Sequence, residues 1–142
     1  MTEYKKILAA TDMHFDDLPV VNRAVAIASQ NNAELTVVTV LADVPYYMAS
    51  GLTAISDIEE ELDKASRDQL MSMKEKVDYN ADYKLLHGTP KWEIINYAKE
   101  NNIDLIVMGS HGRHGVQRLL GSTATAVLHR AKCDVMVVRI KD

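Results

Sequence analysis

Apolar residues fall along this chain in two alternating rhythms. One is the short apolar run: Ile7-Leu8-Ala9-Ala10 and, after Asp104, Leu105-Ile106-Val107-Met108 without a break, Leu35 to Val40 with Thr36 and Thr39 in it, and Val135 to Ile140 with Arg139 in it. Such runs, rich in β-branched side chains and bounded by polar residues, predict strands buried on both faces. Tyr83, Leu85 and His87 alternate in a further strand. The other rhythm has helical spacing. Leu18, Val21, Val25 and Ala28 predict a helix that starts at Asp16-Asp17 and Pro19 and runs to about Gln30, where Asn31-Asn32 ends it. Ile58, Leu62, Ala65, Met73 and Val77 mark the inner face of a long helix over residues 56–77. Gly88-Thr89-Pro90 predicts a helix entrance, with Thr89 as cap and Pro90 in the first position. Trp92, Ile95 and Ala98 give that helix its buried face, and Asn101-Asn102 ends it. A last helix covers residues 122–130, and residues 45–53 lack a period and read as a loop.

Strands and helices therefore alternate five and four times. Alternation with apolar strands implies one doubly wound α/β domain over residues 1–142: a five-stranded parallel sheet with helices on both faces and right-handed crossovers. Ligands in such sheets bind beyond the carboxyl ends of the strands, where the strand order reverses. Thr11-Asp12, Val40 and the segment after Met108 are the places that rule selects.

Composition narrows the function. The chain has 142 residues, 47% hydrophobic and 25% charged, an ordinary globular balance that forms a core without disulfides or metals. A net charge of -4 with mixed signs argues against a broad nucleic-acid surface. Cys133 is the single cysteine, so no intrachain disulfide forms, in keeping with a cytoplasmic location. The polar first residues lack a signal-peptide core, and no stretch reaches the ~20 apolar residues of a membrane span. Neither a P-loop, a G-x-G-x-x-G after the first strand, a nucleophile elbow nor a zinc set occurs.

The densest local signal is Gly109-Ser110-His111-Gly112-Arg113-His114-Gly115, followed by Gly121-Ser122. Three of the six glycines fall within these seven positions, which favours close approach of backbone amides to an anion. Ser122 opens a helix, whose free amides and dipole suit phosphate. Beyond the fourth strand of such a sheet, a phosphate site is the favoured reading over simple turns.

Taken in order, these segments resemble the universal stress protein family. The match is carried by Lys6 to Asp12, Thr36-Val37-Val38-Thr39-Val40, His87-Gly88-Thr89-Pro90, Asp104 to Gly112, Leu119-Leu120-Gly121-Ser122 and Cys133 to Val138. The resemblance implies the adenine nucleotide alpha hydrolase-like fold and a regulatory role in the stress response. Members that bind ATP carry G-x2-G-x9-G-[ST]. Here Gly109, Gly112, Gly121 and Ser122 supply every residue type, with eight residues rather than nine before Gly121. The resemblance implies that ATP, with Mg²⁺ or without it, lies with adenosine near Ala10, Thr11 and Asp12, adenine on Val40, and ribose against Met108 and Gly109. The phosphates then meet Gly112, Gly121 and Ser122, with Thr123 and Thr125 as weaker candidates. It also implies a homodimer through the last strand, with no nucleic-acid or membrane partner.

Several residues keep two readings. Asp12 either orients ribose or a phosphate-bound Mg²⁺, or only caps the next turn. His111 and His114 contact phosphate or are merely solvated. Arg113 and Arg118 pair with phosphate or are surface charge, with equal weight. Three functions stand side by side: a nucleotide-binding regulator, ranked first; a slow ATPase or self-modifying kinase, ranked lower because no motif places a general base; and a ligand-free dimeric adaptor, favoured by the short spacing.

Overall fold

The computed structural model describes residues 3–12, 17–44, 54–110 and 120–140. The elements run β1 (Lys6–Thr11), α1 (Leu18–Asn31), β2 (Glu34–Leu41), α2 (Ile55–Lys76), β3 (Asp82–His87), α3 (Pro90–Glu100), β4 (Leu105–Gly109), α4 (Ser122–Arg130) and β5 (Asp134–Val138). The five strands form a single sheet in the order β3-β2-β1-β4-β5, and every pairing is parallel. The doubly wound architecture expected from the apolar rhythm is therefore present.

Residues two apart in a strand share a face, and the core divides accordingly. Ile7 and Ala9 join Leu35, Val37, Leu105 and Val107 under α1, with Val20, Val21, Ala24 and Ala28, and under Leu70 of α2. Leu8 and Ala10 join Val38, Ile106 and Met108 under α3 and α4, with Ile94, Ala98, Ala124 and Val127. Two helices thus cover each face, which satisfies the demand of a parallel sheet for burial on both sides. Among the described residues, no helix is long and apolar enough to cross a membrane.

The two asparagine pairs end their helices by one device. Asn32 and Asn102 take left-handed backbone, with φ of 53° and 54°. The next amide then reaches back five residues, Ala33 to the Ala28 carbonyl and Ile103 to that of Ala98, both at 2.9 Å. This is the bond pattern of a left-handed helix stop, which asparagine tolerates better than most side chains. Asn31 and Asn101 add side-chain bonds to the carbonyls four residues earlier. Gly88, at φ +136°, makes the turn from β3 into α3 that a side chain would strain.

Four expectations need correction. The buried stripe of α2 runs through Ser66 and Leu70, while Leu62 and Ala65 are exposed. A polar residue hides in this stripe because the Ser66 hydroxyl donates to the Leu62 carbonyl at 2.7 Å. Trp92 is not core: it is 41% exposed, and Ile94 takes the inward position with Ala98. Its ring lies between Lys91 and the Arg130 guanidinium, 5.5 and 5.0 Å from its centroid, an arrangement that keeps an aromatic at the surface. Thr89 precedes α3 and its carbonyl accepts from Glu93, yet its hydroxyl caps nothing. Finally, β5 stops at Val138, because the Ile140 amide turns to the Ser110 hydroxyl.

Burial ranks the expected effects of truncation. Ile106→Ala, at a fully buried position, should lower unfolding free energy by about 2–5 kcal/mol. Leu128→Ala, at a position 45% exposed, should cost less than about 0.5 kcal/mol. Urea unfolding of both variants checks this, and equal costs would contradict the assigned core.

Candidate functional site

The chain leaves β1 for β2 and β3 on one side, then returns to place β4 and β5 on the other. The strand order therefore reverses between β1 and β4, and their carboxyl ends part there. Ala10 lies directly across from Met108. Both side chains are buried on the α3/α4 face, at 6% and 4% exposure. Val40 continues β2 one residue past Thr39, the partner of Thr11, and is half-buried against the same cluster. These three apolar side chains thus gather at one corner of the sheet.

Thr11 and Asp12 are held by the protein itself. The Thr11 hydroxyl donates to the Val38 carbonyl at 2.9 Å, and the Thr39 hydroxyl donates to the Thr11 carbonyl at 3.2 Å. The Asp12 amide donates to the carboxylate of Asp17. Asp17 is buried and stands just before α1, where its carbonyl accepts from the amides of Val20 and Val21. Its carboxylate thus reaches the end of β1 and makes no capping bond to α1, which begins at Leu18 where Asp16-Asp17 and Pro19 predict a helix start. The bond from the Asp12 amide ties the Asp12 backbone to the residue that precedes α1.

On the β4 side, Gly109 closes the strand. A methyl group at its α-carbon would lie 2.5 Å from Ile140 Cδ1 and 3.4 Å from Val20 Cγ2. A side chain there would need the tip of Ile140 to shift, so the absence of one lets Ile140 lie close to the end of β4. Ser110 follows, and its carbonyl accepts from the Gly121 amide at 3.0 Å. Ser110 and Gly121 are direct neighbours although eleven positions apart in number. Gly121 is buried, with φ −60° and ψ 153°, and Ser122 begins α4. The first helical bond goes from the Thr125 amide to the Gly121 carbonyl at 2.9 Å. The amides of Ser122, Thr123 and Ala124 consequently precede the helical ladder. The Thr125 hydroxyl also turns back to the Gly121 carbonyl, at 3.0 Å, so its polar end is used within the helix.

The structure therefore brings Ala10, Thr11, Asp12, Val40, Met108 and Gly109 to the strand ends, and it sets Gly121, Ser122 and Thr123 beside them through Ser110. His111, Gly112, Arg113, His114 and Arg118 lie outside the described residues. Ser110 itself was passed over as a spacer within the glycine motif. Nothing in its identity marks a residue with partners at positions 121, 138 and 140.

A second constellation lies at the ends of β2 and β3. Asp63 Oδ1 meets His87 Nε2 at 2.7 Å, and Asp63 Oδ2 meets Arg67 Nε at 2.7 Å. Sequence reasoning missed it, since His87 and Asp63 are 24 residues apart on different elements. The Arg67 guanidinium, and after it the His87 ring, hold the Asp63 carboxyl below its ordinary value. A groove of about 560 Å³ opens alongside, lined by Asp43, Glu59, Glu60 and Asp68 as well as Lys64. Its surplus of carboxylates repels a polyphosphate. Among the described residues, no set of three His, Cys, Asp or Glu side chains is placed to hold a metal.

Comparison with known proteins is decisive about ancestry. The model of the universal stress protein family matches residues 3–139. The chain belongs to the universal stress protein family. It is 38% identical over 144 residues to universal stress protein A homolog 2 of Coxiella burnetii, covering 99% of each chain. Among solved structures it is similar to universal stress protein UspA from Lactobacillus plantarum, with a TM-score of 0.77 and 28% identity over 98% of this chain and 100% of that one. The universal stress protein from Archaeoglobus fulgidus in complex with dAMP gives a TM-score of 0.64 at 24% identity over 96% of this chain and 98% of that one, which shows a shared fold.

The Asp63 cluster makes a testable claim about pH. A carboxyl whose value is depressed on folding adds stability above the ordinary carboxylate range. That contribution is lost as pH falls through the folded value. Asp63→Asn should therefore be less stable than the wild type at pH 7, and the gap should close as pH is lowered toward about 3. Urea midpoints of both proteins across that range test it, and a gap that stays constant would contradict it.

Proposed function

We propose that this universal stress protein is an adenine-nucleotide-binding regulator of the stress response, acting in the cytoplasm as a homodimer with ATP as its ligand. One observation carries the reading. The N-terminus of α4 is tied by Gly121 to Ser110, at the point where strand order reverses, beside an apolar corner formed by Ala10, Met108 and Val40. Helix-start amides that precede the ladder, together with the dipole of the helix, favour a phosphate. An apolar corner next to them suits a base and a sugar, which need burial with few polar contacts. Nucleotides combine those two demands. The acidic groove by Asp63 offers the opposite field, which leaves the α4 end as the place for the anionic tail.

The residue roles follow the family pattern. Val40 packs on adenine, Ala10 and Asp12 border the adenosine, and Thr11 shapes the floor through its own hydrogen bonds. Met108 and Gly109 take the ribose side. Gly121, Ser122 and Thr123 receive phosphate, together with Gly112, His111 and Arg113. Any Mg²⁺ arrives with the nucleotide, and Asp12 is the carboxylate at the strand end available to it. β5 supplies the dimer edge: with β3 it is one of the two edge strands, and its Val135, Met136 and Val137 are half-buried. An apolar edge of that kind invites pairing with a second copy.

Mass spectrometry of the small molecules released on denaturing freshly purified protein should identify an adenine nucleotide. Finding none, together with no binding of Mg-ATP added at millimolar concentration, would favour the ligand-free adaptor instead. A substitution separates stability from binding. Ser122 is exposed at the first position of α4. Ser122→Asp places a fixed anion on the helix dipole, which should stabilise the fold by about 0.3–1 kcal/mol. The same charge should weaken ATP binding tenfold or more, about 1.4 kcal/mol. Calorimetric titration and thermal melts measure the two effects. Unchanged ATP affinity in a variant of normal or raised stability would reject the α4 N-terminus as the phosphate site.

A further inference from the structure

The end of the chain and the start of α4 meet at one residue. Ser110 uses three polar groups on two separate elements. Its amide donates to the Val138 carbonyl at 2.9 Å, and its hydroxyl accepts from the Ile140 amide at 3.0 Å. Its carbonyl, meanwhile, accepts from Gly121 at 3.0 Å. Apolar packing reinforces the first pair, because Ile140 fills the space that a side chain at Gly109 would occupy. The last residue of β5 and the residues after it are thus docked on the end of β4 by two hydrogen bonds and one close approach.

We infer that Ser110 is a positioning residue that couples the ligand site to the β5 edge. The inference rests on the nucleotide reading of the site given above. Docking of Val138 and Ile140 holds both sides of Ser110. A held Ser110 fixes the carbonyl that orients Gly121, and Gly121 sets the direction of the first amides of α4. A phosphate on those amides therefore binds the docked form better than one whose chain end has let go. Only such a difference in affinity lets a ligand shift the balance between two states. By reciprocity, whatever holds the end of β5 in place, including a second copy paired along that edge, raises nucleotide affinity by the same factor. Coupling through Ser110 would account for a serine whose hydroxyl faces the chain end while its carbonyl faces the site.

Residue-resolved hydrogen exchange at the Ile140 amide, with and without Mg-ATP, reads this coupling directly. In the wild type, ATP should slow exchange at Ile140 roughly five- to tenfold, the lower part of the usual range for coupled sites. Ser110→Ala removes the acceptor and keeps both backbone bonds. It should lower ATP affinity by a similar factor and make Ile140 exchange fast and indifferent to ATP. A purely structural serine would not make exchange at Ile140 depend on nucleotide. ATP binding by the wild type with no change at Ile140 overturns the inference and leaves the site standing, even if the variant fails to fold. Equal ATP affinity in the wild type and a folded Ser110→Ala variant does the same. A wild type that binds no ATP overturns the nucleotide reading and this inference together.

Discussion

Everything in this molecule is arranged around the burial of β1 on four sides. Its two edges are occupied by β2 and β4, and its two faces by opposite helix pairs. Ile7, Leu8 and Ala9 have no exposure at all. A strand in that position cannot carry a polar residue without a buried partner. It can carry small ones, and Ala9 and Ala10 leave room for helices to lie close. Because β1 is central and first, the chain must step outward twice in each direction. That requirement creates the reversal between β1 and β4. The place where the strand order reverses is thus a consequence of how the core is filled.

The same constraint explains which parts of the fold were legible in the amino-acid order. Buried parallel strands must be apolar on both faces, so β1, β2 and β4 announce themselves as runs. The two Asn-Asn pairs marked helix ends correctly because a left-handed residue is required there and asparagine accepts it. Surface helices carry a weaker signal. In α2, a serine took a core position because it satisfies itself with the Leu62 carbonyl. No pattern of apolar residues could report that. Trp92 misled for the opposite reason. Size and apolarity argue for burial, yet flanking cations hold its ring at the surface. The end of β5 was misplaced by two residues, since Ile140 beyond Arg139 is apolar and β-branched like the strand, while its backbone has already changed partners.

Legibility at the site divides along similar lines. The positions of the candidates at strand ends were legible, because the rule that selects them is topological. The place of Gly121 and Ser122 at a helix start was legible because glycine before a helix start is a local signal. Contacts between distant segments were not visible. Ser110 gains its partners only when β5 lies beside β4, and Asp63 gains His87 only when α2 lies across β3. Gly109 has a second reason for its identity that the amino-acid order does not show. It was chosen as a place for ligand approach, and the structure adds that Ile140 packs into the space a side chain there would use.

The two polar regions at the carboxyl end of the sheet have opposite electrostatic character, and this bears on how the protein would choose a ligand. Carboxylates gather near the ends of β2 and β3, where Asp63 is balanced by Arg67 and His87. The α4 end, by contrast, presents main-chain donors, which stay positive at every pH and cannot be neutralised by losing a proton. A polyphosphate sliding along this end of the sheet meets repulsion on one side and fixed dipoles on the other. Exposed charges separated by more than a Debye length, about 8 Å at physiological salt, act weakly on each other. The acidic side therefore acts only locally, and on the proposed reading the short-range geometry set by Ser110 and Gly121 would decide the fit. Selectivity for an anionic tail would then depend on backbone position more than on net charge, which is why a chain carrying -4 overall can still offer a phosphate a favourable place.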